Sequence, residues 1–279
     1  METFLLENDR EIYTVAFFGT IAIVAFWEGV LPRRQSTQPL RTRWFSNSAI
    51  ALANLGAISL VFPIAALAFS IIIAEHGIGL FQMLDVPTWL AILLGILSID
   101  CGRWLHHYLM HRVPFLWRLH RVHHADHDYD FTVGLRFHPF EGLFTTGFVF
   151  PIILLLGPPP VAVLVAEFLV GVSGIIVHAN GRIAYWLDRY VRLIFVTPDM
   201  HRVHHSIVRG EHDSNYAAVF SFWDRLFGTY VAAPAAGHTG MTIGLPELRD
   251  SRCLKLGWML LSPFQPMPKS LPKDPIKPN

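Results

Sequence analysis

The chain has 279 residues, 52% of them hydrophobic and only 15% charged, against roughly 25% charged in ordinary globular proteins. With a mean hydropathy of +0.40, that bias excludes a disordered chain and argues against a simple soluble domain. A formal net charge of +1 gives no broad attraction for nucleic acid, and Cys101 and Cys253 alone build neither a disulfide framework nor a cysteine-rich metal site.

The N-terminus, METFLLENDRE, is acidic and has no basic leader, so it does not read as a cleaved signal peptide. Tyr13 to Leu31 is apolar except for Glu28 and is long enough for a first span, since a bilayer core takes about 20 apolar residues as helix. Arg33, Arg34, Arg41 and Arg43 follow. Trp44 to Ala74 carries no charge and can cross with tilt or a kink at Pro63. The loop 75–85 has no Lys or Arg. Val86 to Ile99 is shorter and reaches full length only by running on through Asp100 and Arg103. Gly142 to Ala166 is uncharged again, with Glu167 the one interruption before Val177. Gly157-Pro158-Pro159-Pro160 breaks that run into two short helices of a re-entrant or spanning hairpin. After Pro263, five further prolines with Lys269, Lys273 and Lys277 read as a flexible end.

Basic loops stay on the cytoplasmic side. That rule puts the N-terminus outside, and 103–141 and everything after Asn180 in the cytosol. The expected fold is an all-α integral membrane protein. It has about four transmembrane helices or helix hairpins and a cytoplasmic helical cap rich in histidine. Three regions follow: an N-terminal membrane region 1–94, a histidine-rich domain 95–230 and a cytoplasmic C-terminal tail 231–279. The competing reading is a set of buried soluble helices.

Thirteen of the fifteen histidines lie between His106 and His212. His107 and His111 are four apart. His120, His123 and His124 form H-x-x-H-H, and His201, His204 and His205 form it again, within LHRVHHA and MHRVHHS. Positions i, i+3 and i+4 share a helix face, so each motif aims three imidazoles at one region. Pro114 and Pro198 suit a first helical turn, and Thr197 suits an N-cap. Unliganded, adjacent imidazoles would be partly protonated and repel. A bound cation removes that cost, and neutral imidazole ligates Zn, Cu, Fe and Ni. The eight histidines of the three clusters exceed what one ion uses, which suggests two ions, or one ion and a structural set. His178, ending the apolar hairpin, is a ninth candidate. His106 and His127 point off the shared faces, and His76 and His238 stand alone. His138, in R-F-H-P-F-E, is a ligand, a substrate gate or a structural residue. His212 is either a supporting group or exposed.

No H-E-x-x-H, G-x-S-x-G or G-x-G-x-x-G motif occurs, and the Glu-x-x-His pairs of soluble di-iron bundles are missing. An all-imidazole, two-ion site at a membrane surface suits oxygen activation with electrons from outside, and would equally hold zinc. Metal-bound histidines donate their other N–H to a carboxylate or carbonyl. Asp100, Asp199, Asp213 and Glu141 are the near candidates. Asp100 lies two turns before His107, on the same face, or else pairs with Arg103.

These residues resemble the fatty acid hydroxylase/sterol desaturase superfamily of membrane-bound non-haem di-iron enzymes. The resemblance runs over about 95–230. It passes through Asp100 to His107, His111, Leu116 to His124, Arg136 to Glu141, His178-Ala-Asn180 and Thr197 to His205. It ends with Asn215-Tyr216 and Trp223 to Tyr230. Ala217 stands where the family often has glycine. The resemblance implies two Fe ions, O2 as co-substrate, and hydroxylation, desaturation or ether cleavage of a lipid. Its ligands would be His107, His111, His120, His123, His124, His178, His201, His204 and His205. His138, Asp100, Asp199, Asp213, Glu141 and Asn215 would be ligands or supporting groups. With no nucleotide or flavin motif, electrons would come from a ferredoxin, a cytochrome or a reduced pterin. Other readings are a zinc-binding membrane transporter or storage protein, and a catalytically silent family member.

Overall fold

The computed structural model describes residues 2–62 and 64–266. Pro63 and the expected flexible end with Lys269, Lys273 and Lys277 lie outside the described residues. The described chain is helical, with isolated bridges at Pro32–Gly181, Phe195–Phe220 and Ser206–Ile243. The helices that frame the site are α1 (Asp9–Val30), α2 (Leu40–Val61), α3 (Ala66–Glu75), α4 (Thr88–Arg112) and α5 (Pro114–His124). Then come α6 (Pro139–Gly147), α7 (Val149–Leu156), α8 (Pro160–Val177), α9 (Pro198–His204) and α10 (Leu256–Leu261).

Five segments are long and apolar enough to cross a membrane: 9–30, 40–83, 88–112, 139–156 and 160–177. The proline-broken run thus resolves into two segments of 18 residues each, about 27 Å apiece at 1.5 Å per residue, close to a bilayer core. Outward-facing Phe18, Ile23 and Phe26 on α1 and Leu52, Leu55 and Leu60 on α2 are exposed, a surface suited to lipid.

Local chemistry explains the breaks. Pro114, Pro139, Pro160 and Pro198 each occupy the first turn of their helix, where the missing N–H has no cost. Thr197 caps α9 by accepting from Met200 N at 3.3 Å. Gly157 ends α7 at φ 59, and a Cβ there would stand 2.1 Å from Ile78 O, so only glycine permits this crossing of two turns.

Helix α8 packs on α1, α3 and α4. One core joins Ile73, Ile99, Val149, Ile153, Val163 and Ala166, and a second, beneath the histidines, joins Trp104, Val177, Val196, Met200, Tyr216 and Ala217. As expected, α4 runs on through Asp100 and Arg103, and both charges are satisfied inside. Arg103 pairs with Glu167 at 2.8 Å and donates to Thr145 O at 2.9 Å.

A buried polar network fixes the segment after the second histidine motif. Arg43, fully buried, holds Asp126 at 2.7 Å and also Asp130. Asn47 donates to Asp126 at 3.2 Å and Thr132 at 2.9 Å, and Arg136 donates to Asn47 and to Cys253 O. Part of the expected C-terminal tail belongs to this core. Met241, Ile243, Leu245, Cys253, Leu254 and Met259 are all buried, and α10 packs on α2.

Candidate metal centre

Four helices deliver the histidines. His107 and His111 end α4, α5 carries His120, His123 and His124, His178 caps α8, and α9 with its C-cap carries His201, His204 and His205. Their nitrogens gather in two groups, His107, His111, His120, His124 and His204 in one and His123, His178, His201 and His205 in the other, each within 4.8 Å. All nine expected ligands are in these two groups. Each H-x-x-H-H motif is split between them. On a helix of 100° per residue, i+4 lies about 40° to one side of i and i+3 about 60° to the other. His120 and His124 therefore face the first group while His123 faces the second, and His201 and His205 face the second while His204 faces the first.

The donor chemistry fits a cation. His107 Nδ1 donates to Tyr216 O at 2.8 Å, His178 Nδ1 to Gly174 O at 2.7 Å and His204 Nδ1 to Ser214 O at 2.6 Å. His120 Nδ1 lies 2.5 Å from Glu141 Oε1. A neutral imidazole carries one N–H, so the Nε2 of His107, His178 and His204 is a bare lone pair. His107 Nε2 and His120 Nε2 are 3.1 Å apart. His204 Nε2 and His205 Nε2 are buried without a hydrogen-bond partner. Burial holds His120, His123, His124, His201, His204 and His205 well below the usual imidazole range, and pushes His178 down to about 4. The rings are thus neutral at physiological pH. A positive ion in each group would supply the missing partner.

The supporting groups divide unevenly. Glu141 fixes His120, as the carboxylate–histidine–metal arrangement requires. We expect Glu141→Ala to weaken metal binding at the first group by about 10–100-fold, read by chelator competition. Asp213 stands 3.6 Å from His111 Nδ1. Asp100 neither holds a histidine nor pairs with Arg103. It accepts from Val219 N at 3.2 Å, Phe220 N at 3.1 Å and Trp223 Nε1 at 2.9 Å. Two turns place it on the face of His107 but about 10 Å back along the axis. Asp199 is taken by Arg33 at 3.0 Å and by Arg202, whose guanidinium also covers Tyr129 at 5.0 Å. Asn215, at φ 51, braces the backbone by donating to Met200 O and Val231 O at 2.9 and 2.8 Å. His138 is outside both groups. It caps α6 by accepting from Phe140 N at 3.2 Å, and its Nε2 faces Leu260 O at 3.2 Å. His106 packs on Phe144 and Phe148, and His127 bonds Leu248 O.

Three residues gain a place that their sequence positions do not announce. His212 is buried, its ring 4.4 Å from His124 and 4.8 Å from His111. Trp117 packs beside His111, His124 and His212. Tyr129 sits 5.1 Å from His205 and 5.7 Å from His178 and donates to Val177 O at 2.6 Å.

A fatty acid hydroxylase family model matches residues 92–229, the stretch that carries all nine histidines. This stretch of the chain belongs to that family. It is 28% identical to the ornithine lipid hydroxylase OlsE of Rhizobium tropici over 253 residues, 86% of this chain and 74% of that protein. It is 31% identical to the alkylglycerol monooxygenase of Homo sapiens over 156 residues, 53% of this chain and 32% of that protein. The Danio rerio alkylglycerol monooxygenase is 30% identical over 162 residues, 54% of this chain and 33% of that protein. The chain spans about a third of those two monooxygenases, and no solved structure matches it.

Proposed function

We propose that this family member is a membrane-bound, iron-dependent oxygenase that hydroxylates a C–H bond of a lipid. The observation that carries this reading is the pair of neutral, lone-pair-bearing histidine groups at the ends of membrane-length helices. The relatives' names, a hydroxylase and a monooxygenase, favour hydroxylation over desaturation. Two iron ions, held by five and four imidazoles, would supply O2-dependent oxidation when given electrons by a ferredoxin, a cytochrome or a reduced pterin. Every other role belongs to the chain. Tyr216 O, Gly174 O, Ser214 O and Glu141 fix the imidazole tautomers so that each Nε2 faces inward. Trp117 over the first group and Phe137, stacked on His123 at 4.7 Å, keep water from the rings. The apolar outer faces of α1 and α2 let a lipid reach the centre from the bilayer. We place the N-terminus outside and the histidine centre with the C-terminus in the cytosol, on the positive-inside rule.

The same donors suit zinc, which keeps a zinc transporter or storage protein as the second reading. A transport path needs open carboxylates within the spans. Glu28 is instead fixed by Asn180 N and Phe131 N, and Glu167 by Arg103. The test is oxygen consumption and hydroxylated lipid from purified, iron-loaded protein with a reductant and a bacterial lipid extract. Zinc as the sole bound metal, with no oxygen consumed after iron loading, sinks the oxygenase reading.

A further inference from the structure

The loop 31–39, between α1 and α2, borders two adjoining cavities. The outer one, about 390 Å³, is lined by Arg33, Arg34 and Thr239 among others. The inner one, about 280 Å³, shares Arg34 and reaches Glu28, Asp128, Tyr129 and Asn180. Tyr129 is also the residue packed on His178 and His205, so the inner cavity ends one side chain from the second histidine group.

The charges along this cleft are not paired with one another. Arg34 donates to the backbone carbonyls of His238 and Met241; these neutral acceptors leave its net charge in place. Asp128 accepts only from neutral donors, Ser36 Oγ at 2.7 Å, Thr37 N and Gln38 N at 2.8 Å each, and Thr37 Oγ1 at 2.8 Å. Arg43, by contrast, is matched by Asp126 and Asp130. The cleft thus carries the Arg34 cation and the Asp128 carboxylate with neither in a salt bridge, and a part-buried charge is stabilised further by an opposite charge that a ligand brings. Lipid-facing Phe26 and Val30 on α1 and Leu40 on α2 are exposed, so the cleft opens where the apolar helices end.

We propose that this cleft binds the zwitterionic headgroup of a lipid, its carboxylate or phosphate on Arg34 and its ammonium on Asp128. The acyl chains stay against α1 and α2, and the lipid is held beside Tyr129 and the second histidine group. This deepens the oxygenase reading by naming its substrate class, and rests on that reading for its purpose.

The test is native mass spectrometry of the metal-loaded protein in mixed nanodiscs, read beside product formation. Four probes are used: an aminoacyl lipid with a free α-carboxylate and ammonium, phosphatidylethanolamine, phosphatidylglycerol and an alkylglycerol. One or both zwitterionic lipids should be retained about tenfold over the other two, the factor that one charge-assisted hydrogen bond commands. Whichever zwitterion wins identifies carboxylate or phosphate as the anionic group. Arg34→Gln should erase the preference for the aminoacyl lipid over the alkylglycerol and lower the retention of phosphatidylethanolamine and phosphatidylglycerol alike, and Arg34→Lys should keep both, each with unchanged metal content. Should Arg34→Gln fail to load metal, Asp128→Asn carries the test by losing the discrimination between phosphatidylethanolamine and phosphatidylglycerol. Equal retention of all four lipids, retention of the anionic headgroups indifferent to Arg34→Gln, or a preference for phosphatidylethanolamine over phosphatidylglycerol indifferent to Asp128→Asn overturns the headgroup site and leaves the oxygenase reading standing. Selective zwitterion binding with no lipid oxidised by the iron-loaded, reduced protein does the reverse.

Discussion

His178→Ala should cut bound metal from about two ions per chain to about one and lower lipid oxidation by more than 100-fold, since losing a group that merely supports a ligand already costs about 10–100-fold. His178 is the hub of the second group. Its Nε2 lies 3.2 Å from that of His123 and 3.1 Å from that of His201, and its Nδ1 is engaged by Gly174 O. Removing it leaves three imidazoles, while the five of the first group keep their own ion. His106→Ala is the matched control. His106 is also buried and also packs on aromatic rings, but it belongs to neither group. It should retain both ions. Metal analysis and single-turnover product measurement on the two variants decide the matter. Full metal content in His178→Ala, or an equal loss in His106→Ala, would show that the groups are packing features and not ligand sets.

The histidine motifs were legible because their spacing is local, and a helix turns three and four residues into neighbours whatever surrounds it. How they divide between two centres was not, because that depends on where α4, α8 and α9 stand around α5. The supporting partners were hidden for a related reason. Tyr216 O, Gly174 O and Ser214 O are backbone atoms, and every residue has one. Asp100 shows the limit of face arguments. It shares the side of α4 with His107, yet the axial rise keeps it away, and it holds the backbone at Val219 and Phe220 instead. The membrane runs were legible from length and charge alone, and the proline turn at 157–160 from its residues. The inward packing of Cys253, Leu254 and Met259 was masked by the polar and proline-rich sequence around them.

Arg43→Ala should be the most damaging change outside the histidines, destabilising the protein by about 3–5 kcal/mol, because it leaves buried Asp130 without its cation and buried Asp126 with Arg136 alone. Burial alone would raise the Asp126 carboxyl, but Arg43 and Arg136 outweigh it and hold the group down at about 2. A carboxylate whose folded pKa is depressed stabilises the fold above its unfolded value, near 3.9, and loses that contribution as pH falls through the folded value. In the variant, burial is no longer outweighed by Arg43 and raises the Asp126 carboxyl, so the difference in stability between the native chain and Arg43→Ala should begin to shrink at that raised value as pH falls and go on shrinking down to about pH 2. Buried neutral imidazoles also lose stability on acidification, beginning below their unfolded value near 6.5. They are common to both proteins, and the difference removes them. Thermal unfolding in detergent across pH 2–7 reads it out, and a difference that stays flat below pH 4 refutes the assignment. The network reaches the centre through 126–136, which carries Tyr129 against His178 and His205. At neutral pH the Arg43→Ala protein should accordingly release metal from the second histidine group before the first. This order follows from which group the segment touches, and a destabilised fold with no special link to the site would release both together.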